Sequence, residues 1–270
     1  MNNWQKILPF IQELTKQVGT RLLADFEEAR VAINKEDGSL VTSSDRWADE
    51  YIKSSLEREF PEYGVLTEES TQILPDREWA WVVDPLDGTT NFARGIPIWG
   101  ISLGLLHRGT PVFGYVAVPP LHQNIYGWAD ENGSAAFLND REIHLADIAP
   151  DPDALSNYFF SACSRSLAKM GRAEFPFKMR MMGAATYNIL TVAIGSTIGA
   201  VEATPKIWDI AAAWAIIKAI GAIWIPLEDS QNIFPLEMGK DYSQRNFPSL
   251  IVSHREILPM AKEITEPFFH

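Results

Sequence analysis

Near the start of the chain, Trp4, Ile7, Leu8, Ile11, Leu14 and Val18 recur at helical spacing, which predicts an amphipathic helix over 3–30 with Gly19 as a candidate kink. A second helix is expected over 45–59, behind the cap-like stretch TSSD. The pattern then changes. WAWVVD, residues 79–84, is aromatic and β-branched, and reads as a strand. From Gly100 to Ala146 the runs ISLGLLH, PVFGYVAV, NIYGWA, AAFL and EIHLA are separated by RGT, PPLHQ, DENGS and NDR, the layout of an antiparallel meander.

Beyond a polar, proline-containing stretch at 147–157, strands and helices alternate. YFFSAC, KMRMM, GAVEA, AIWIP and SLIVS read as strands. Helices are expected near 165–171, over 183–194 and 208–220, and from 255 onward. That stretch is the best internal boundary, dividing the chain into an α+β half at 1–147 and an α/β half at 148–270 that together form one catalytic unit. The order of elements favours alternating layers of helix and sheet over a simple doubly wound sheet.

Composition narrows the classes. The 270 residues are 46% hydrophobic and 21% charged, as in a soluble globular protein. A net charge of -12 argues against nucleic acid or an anionic membrane as a partner. An acidic protein that grips an anion needs local help, and a bound cation supplies it by reversing the sign of the site. Cys163 is the only cysteine, so no internal disulfide can form, and the histidines fall at no zinc-ligand spacing. No signal-peptide layout opens the chain, and a cytoplasmic location is expected. The apolar segment 207–225 has the length of a membrane span, but Asp209 and Lys218 would each cost roughly 2.5–3.5 kcal/mol near a bilayer centre, so a buried helix is expected.

The chemistry concentrates in DPLDGTTNF, residues 84–92. If Asp84 ends the strand and Pro85 stops its hydrogen-bond ladder, the chain turns through Leu86, Asp87 and Gly88, and Thr89 opens a helix. Asp84, Asp87 and the Leu86 carbonyl can then share a hard cation. The Gly88 and Thr89 N–H groups would face a phosphate at a helix start. The alternative is a solvated turn, since Asp and Gly are default turn residues. Glu68 and Glu69 in LTEES, and Asp209 in KIWDIAAAW, are further carboxylates; Asp209 alone would read as a charge favoured by the helix dipole.

Taken together, these stretches resemble the inositol monophosphatase family of magnesium-dependent phosphatases. DPLDGTTNF matches the family's DPxDGTxNF element, TEES at 67–70 is similar to its GEE-S element, WDIAAA at 208–213 to WDxAAG, and SLVTSSD at 39–45 to its (D)xVTxxD element. The resemblance implies a layered αβαβα sandwich, usually a homodimer, that hydrolyses a phosphate monoester with two or three Mg²⁺ ions and is sensitive to lithium. Carried over by position, Glu68, Asp84, Asp87, Asp209 and the Leu86 carbonyl would hold metal. Glu68 and Thr89 would position the attacking water and help deprotonate it. Asp45, with Lys35 in the same loop, would lie near an additional metal and join the catalytic group. Gly88 and Thr89 would hold the phosphate, and Ala185, Glu202 and Asp209 would line the pocket for the sugar or inositol.

The sequence also departs from the family. Thr67 stands for a glycine, Ser39 for an aspartate and Ala213 for a glycine, and IGA at 198–200 replaces a DAY triplet. The last change alters polarity on the leaving-group side. The resemblance implies inositol monophosphate or a related polyol or sugar monophosphate as the substrate. Histidinol phosphate, a sugar bisphosphate and a 3'-phosphoadenosine nucleotide are alternatives, as is a non-catalytic regulatory role on the same fold. For Glu202 the competing reading is an edge-strand charge in water.

Overall fold

The computed structural model describes residues 4–28, 32–34, 40–146, 149–171, 174–228 and 232–269. Helix α1 (Trp4–Glu28) is followed by the hairpin β1 (Ala32–Asn34) and β2 (Leu40–Thr42), then by α2 (Ser43–Glu59). A sheet follows, built from β3 (Gly64–Thr67), β4 (Trp79–Asp87), β5 (Gly100–His107), β6 (Thr110–Val118), β7 (Gln123–Asp130), β8 (Gly133–Leu138) and β9 (Arg141–Glu142), with α3 (Thr89–Arg94) after β4. The second half comprises β10 (Phe159–Ala162), α4 (Ser164–Met170), β11 (Lys178–Arg180), α5 (Ala185–Ala193), β12 (Gly199–Glu202), α6 (Ile207–Ala219), β13 (Ile223–Pro226), β14 (Ser249–Val252) and α7 (Leu258–Thr265).

The seven strands of the first sheet neighbour one another in chain order, and only β3 and β4 run parallel. The meander expected from the turn clusters is present. The second sheet has the order β11-β10-β12-β14-β13, with β12 at its centre. Alternate residues of β4 feed two cores. Trp81 and Val83 meet Ile11, Ile52 and Leu56 of α1 and α2, whereas Ala80 and Val82 join the cluster holding Ile189 of α5 and Ile216 of α6. Ala200 and Ile251 of the second sheet belong to that middle cluster too. On the far face, Val201 and Leu250 pack with Met170 of α4 and Ile264 of α7. The layers are therefore helix, sheet, helix, sheet, helix, as the resemblance implies.

Two glycines let the middle layer sit close. A Cβ on Gly104 of β5 would lie 2.8 Å from the Ala212 nitrogen, and one on Gly114 of β6 would overlap the Ala212 carbonyl. The small residues Ala211 and Ala212 thus bring α6 nearly backbone to backbone with the sheet. No helix among the described residues is long and apolar enough to cross a membrane. Segment 207–225 instead divides into α6 and β13.

Three expectations change. α1 is one continuous helix through Gly19, whose missing Cβ makes room for Pro119. β4 does not end at Asp84. It continues to Asp87, which pairs with Gly100, and a register shift between Asp84 and Asp87 absorbs Pro85, which has no N–H to donate. Glu202 is 2% exposed on the central strand of its sheet, so it is no edge-strand charge in water. Lys35 and Ser39, together with Asp147 and Ile148 of the boundary stretch, lie outside the described residues.

Candidate metal centre

The bulge in β4 places two carboxylates on one end of the strand. Asp84 accepts from the Leu86 N–H at 2.9 Å, which folds the bulge back on itself. Asp87 is held from the other half of the chain: the Ala185 N–H donates to its Oδ1 at 3.0 Å and the Thr186 N–H to its Oδ2 at 2.9 Å. These are free N–H groups of the first turn of α5, whose N-cap, Ala184, supplies no side-chain acceptor. Asp209 lies in the first turn of α6 and accepts from the Lys206 N–H at 2.6 Å. It does act as a helix-terminal charge, yet it also belongs to the cluster at the bulge. One carboxylate oxygen from each of Asp84, Asp87 and Asp209 lies within 4.8 Å of the other two.

Glu68 follows the end of β3, tied to β4 by its N–H donating to the Val83 carbonyl at 3.1 Å. It stands beside the trio, and its charge repels those of Asp84 and Asp209. Burial, then Glu68 and the neighbouring aspartates, holds the Asp84 carboxyl well above the usual range. Burial and then Asp87 do the same to Asp209, and burial pushes Asp87 up to about 6. Among the described residues no lysine or arginine forms an ion pair with the trio. Like charges crowded into a low-dielectric site carry a large cost unless neutralised. An all-oxygen donor set without histidine suits a hard divalent cation such as Mg²⁺, so these residues fit one.

Gly88 has φ +90°, and a Cβ there would lie 3.0 Å from the Ile98 carbonyl oxygen, so the position requires glycine. Thr89 opens α3; its hydroxyl donates to Asp45 Oδ1 at 2.8 Å and lies 3.1 Å from the Leu86 carbonyl. Asp45 is 1% exposed in the first turn of α2, where its Oδ2 accepts from both the N–H and the hydroxyl of Thr42. Its carboxyl is raised above the usual range by burial, partly offset by those bonds. Thr67, in place of glycine, bonds Ser70 across the Glu68–Glu69 turn at 2.8 Å. Ala185 is half-buried beside Asp87, and Ala213 is fully buried in the middle core.

Sequence reasoning passed over Thr186 and Asn188. Thr186 donates its N–H to Asp87 and its hydroxyl to the Asp209 carbonyl at 2.9 Å, joining two of the three aspartates. Asn188, also buried, donates to Glu202 Oε1 at 2.6 Å. GAATYN carries both residues, but a backbone donor at a helix start has no signature in side-chain identity.

Among known proteins, the sequence profile of the inositol monophosphatase family matches residues 3–260. An inositol-1-monophosphatase of Mesorhizobium japonicum is 30% identical over 237 residues, covering 84% of this chain and 88% of that protein. A Thermotoga maritima protein named fructose-1,6-bisphosphatase/inositol-1-monophosphatase is 27% identical over 264 residues, covering 96% of this chain and 97% of its own. The crystal structure of the extragenic suppressor protein suhB from Bartonella henselae matches with a TM-score of 0.79 at 25% identity, over 97% of this chain and 98% of that one.

Proposed function

This chain belongs to the inositol monophosphatase family, and on that premise we propose that it is a Mg²⁺-dependent phosphatase acting on the monophosphate ester of a polyol or sugar, inositol monophosphate foremost. The observation that carries this reading is the convergence of Asp84, Asp87 and Asp209 within 4.8 Å beside the glycine that starts α3. Asp84, Asp87, Asp209, Glu68 and the Leu86 carbonyl would hold two or three Mg²⁺ ions. When bound, these supply charge neutralisation for the phosphoryl group and a lower pKa for attacking water.

The chain's own groups divide the remaining work. The Gly88 and Thr89 N–H groups hold phosphate oxygens at the start of α3. Thr89 commits its proton to Asp45, which leaves its oxygen lone pairs free to accept from the attacking water, and Glu68 takes part in receiving that water's proton. Ala185, Glu202 and Asp209 would line the pocket of the departing alcohol. Phosphoryl transfer asks chiefly for positioning and charge neutralisation, so no covalent nucleophile is required. The two halves divided near residue 147 act as one unit, because Asp209 belongs to the second and the β4 pair to the first. A cytoplasmic homodimer inhibited by lithium completes the proposal.

A sugar bisphosphate is the second reading, favoured by the Thermotoga maritima relative. Phosphate release from inositol 1-phosphate, fructose 1,6-bisphosphate and p-nitrophenyl phosphate, with Mg²⁺ and with excess EDTA, tests both. Turnover that survives exhaustive chelation, or no turnover on any ester, overturns the metal-dependent phosphatase. A preference for the bisphosphate selects the second reading.

A further inference from the structure

We propose that Asn188 is a positioning residue that fixes how Glu202 meets the alcohol half of the substrate. The inference rests on the reading of Glu202 given above and deepens it. Asn188 lies one turn beyond Ala185 on α5, is fully buried, and has hydrogen-bond partners at both ends of its amide. Its Oδ1 accepts from the Met182 backbone N–H at 3.1 Å and from the Ser161 hydroxyl at 2.8 Å. A backbone N–H can only donate, so the amide cannot be turned over without losing that bond. Its Nδ2 therefore faces Glu202 Oε1, at 2.6 Å, and can only donate there.

That arrangement assigns a polarity. Glu202 Oε1 is committed as an acceptor, and the plane of the carboxyl is pinned by a group that is itself held from a strand and a loop. The Cys163 thiol meets the same carboxyl from the end of β10. Glu202 is 2% exposed, so only a narrow part of it is left to accept from substrate hydroxyls. A small rotation would turn that part away from the substrate hydroxyls. The residue that stops the rotation thus governs discrimination between esters that carry hydroxyls and esters that do not. Such discrimination is large where a buried polar group loses its partner.

Asn188→Asp separates this role from simple packing. The variant keeps an oxygen for Met182 and Ser161 but replaces the fixed amide donor facing Glu202 with a carboxyl, which bonds Glu202 only by sharing a proton whose direction is no longer set. With wild type and variant assayed in Mg²⁺ on inositol 1-phosphate and p-nitrophenyl phosphate, KM for the inositol ester is expected to rise about tenfold while kcat changes less than about threefold. The ratio of kcat/KM between the two esters falls by a similar factor. Adding Glu202→Gln to that background restores a donor opposite the introduced carboxylate and recovers at least about a third of the lost ratio. A folded Asn188→Asp enzyme with an unchanged ratio overturns the inference and leaves the phosphatase reading standing. A wild type inert on every ester overturns both. Should the variant not fold, the Asn188 side-chain amide of ¹⁵N-labelled wild type decides: its resonance must shift when myo-inositol and inorganic phosphate are added with Mg²⁺, and an unmoved signal overturns the inference.

Discussion

The Thr89 hydroxyl donates to Asp45 Oδ1 at 2.8 Å across 44 residues of sequence, joining the first turn of α2 to the first turn of α3. Asp45 is in turn braced by Thr42, so the hydroxyl has a fixed direction before any substrate arrives. Thr89→Val keeps the shape and removes that group. Its kcat should drop about 10²–10⁴-fold, with a melting temperature close to wild type. Asp45→Asn should behave similarly, and the double variant should lose little more than either single one, because the pair acts as a unit. Steady-state kinetics on the preferred ester checks this, and additive losses would separate the two residues.

Asp84→Asn probes the repulsion within the cluster. The substitution removes a buried negative charge from among Glu68, Asp87 and Asp209. Turnover should fall by about a thousandfold or more. Without Mg²⁺ the variant should melt no lower than wild type, since a repelling charge has gone. Wild type should gain up to about 2.7 kcal/mol of stability when Mg²⁺ reaches about a hundred times its dissociation constant, and the variant much less. Thermal melts across a Mg²⁺ titration distinguish the two; equal gains would mean that Asp84 does not bind the ion.

Thr186→Val addresses a residue that touches no reacting atom. Its hydroxyl donates to the Asp209 carbonyl while its N–H holds Asp87, so the residue ties the start of α5 to the first turn of α6. Removing the hydroxyl should weaken Mg²⁺ binding about 10–100-fold and leave secondary structure unchanged. Isothermal titration of Mg²⁺ into the variant measures the loss directly.

Gly104→Ala tests the close approach of α6 to the first sheet. The new methyl would meet Ala211 and Ala212 at 2.8–2.9 Å, which forces the helix outward or strains the strand. A loss of about 1–3 kcal/mol in urea unfolding is expected. Mg²⁺ affinity should fall as well, because Asp209 travels with α6. Unaltered affinity in a destabilised variant would detach the helix position from the site.

Much of this arrangement is legible in the sequence because its signals are local. Periodicity gives α1, a capping stretch gives α2, turn residues give the meander, and DPLDGTTNF presents two carboxylates and a glycine in one stretch. Other features are long-range and leave no local trace. The continuation of β4 past Pro85 depends on Asp87 pairing with Gly100 beyond a bulge, a tertiary fact that the proline alone does not reveal. Glu202 looks solvent-ready in GAVEA, because nothing nearby in sequence reveals that β12 is inserted between β10 and the late strand β14. The roles of Thr186 and Asn188 depend on where α5 docks, and side-chain identity alone does not state it.

The division of the aspartates between the two halves makes the site a check on the chain's own completion. Asp84 and Asp87 leave the ribosome with the first sheet, whereas Asp209 arrives only with α6, and its place is set by close seating against Gly104 and Gly114. A truncated product, or one whose second half has come loose, retains the strands of the first sheet yet lacks the third acidic arm.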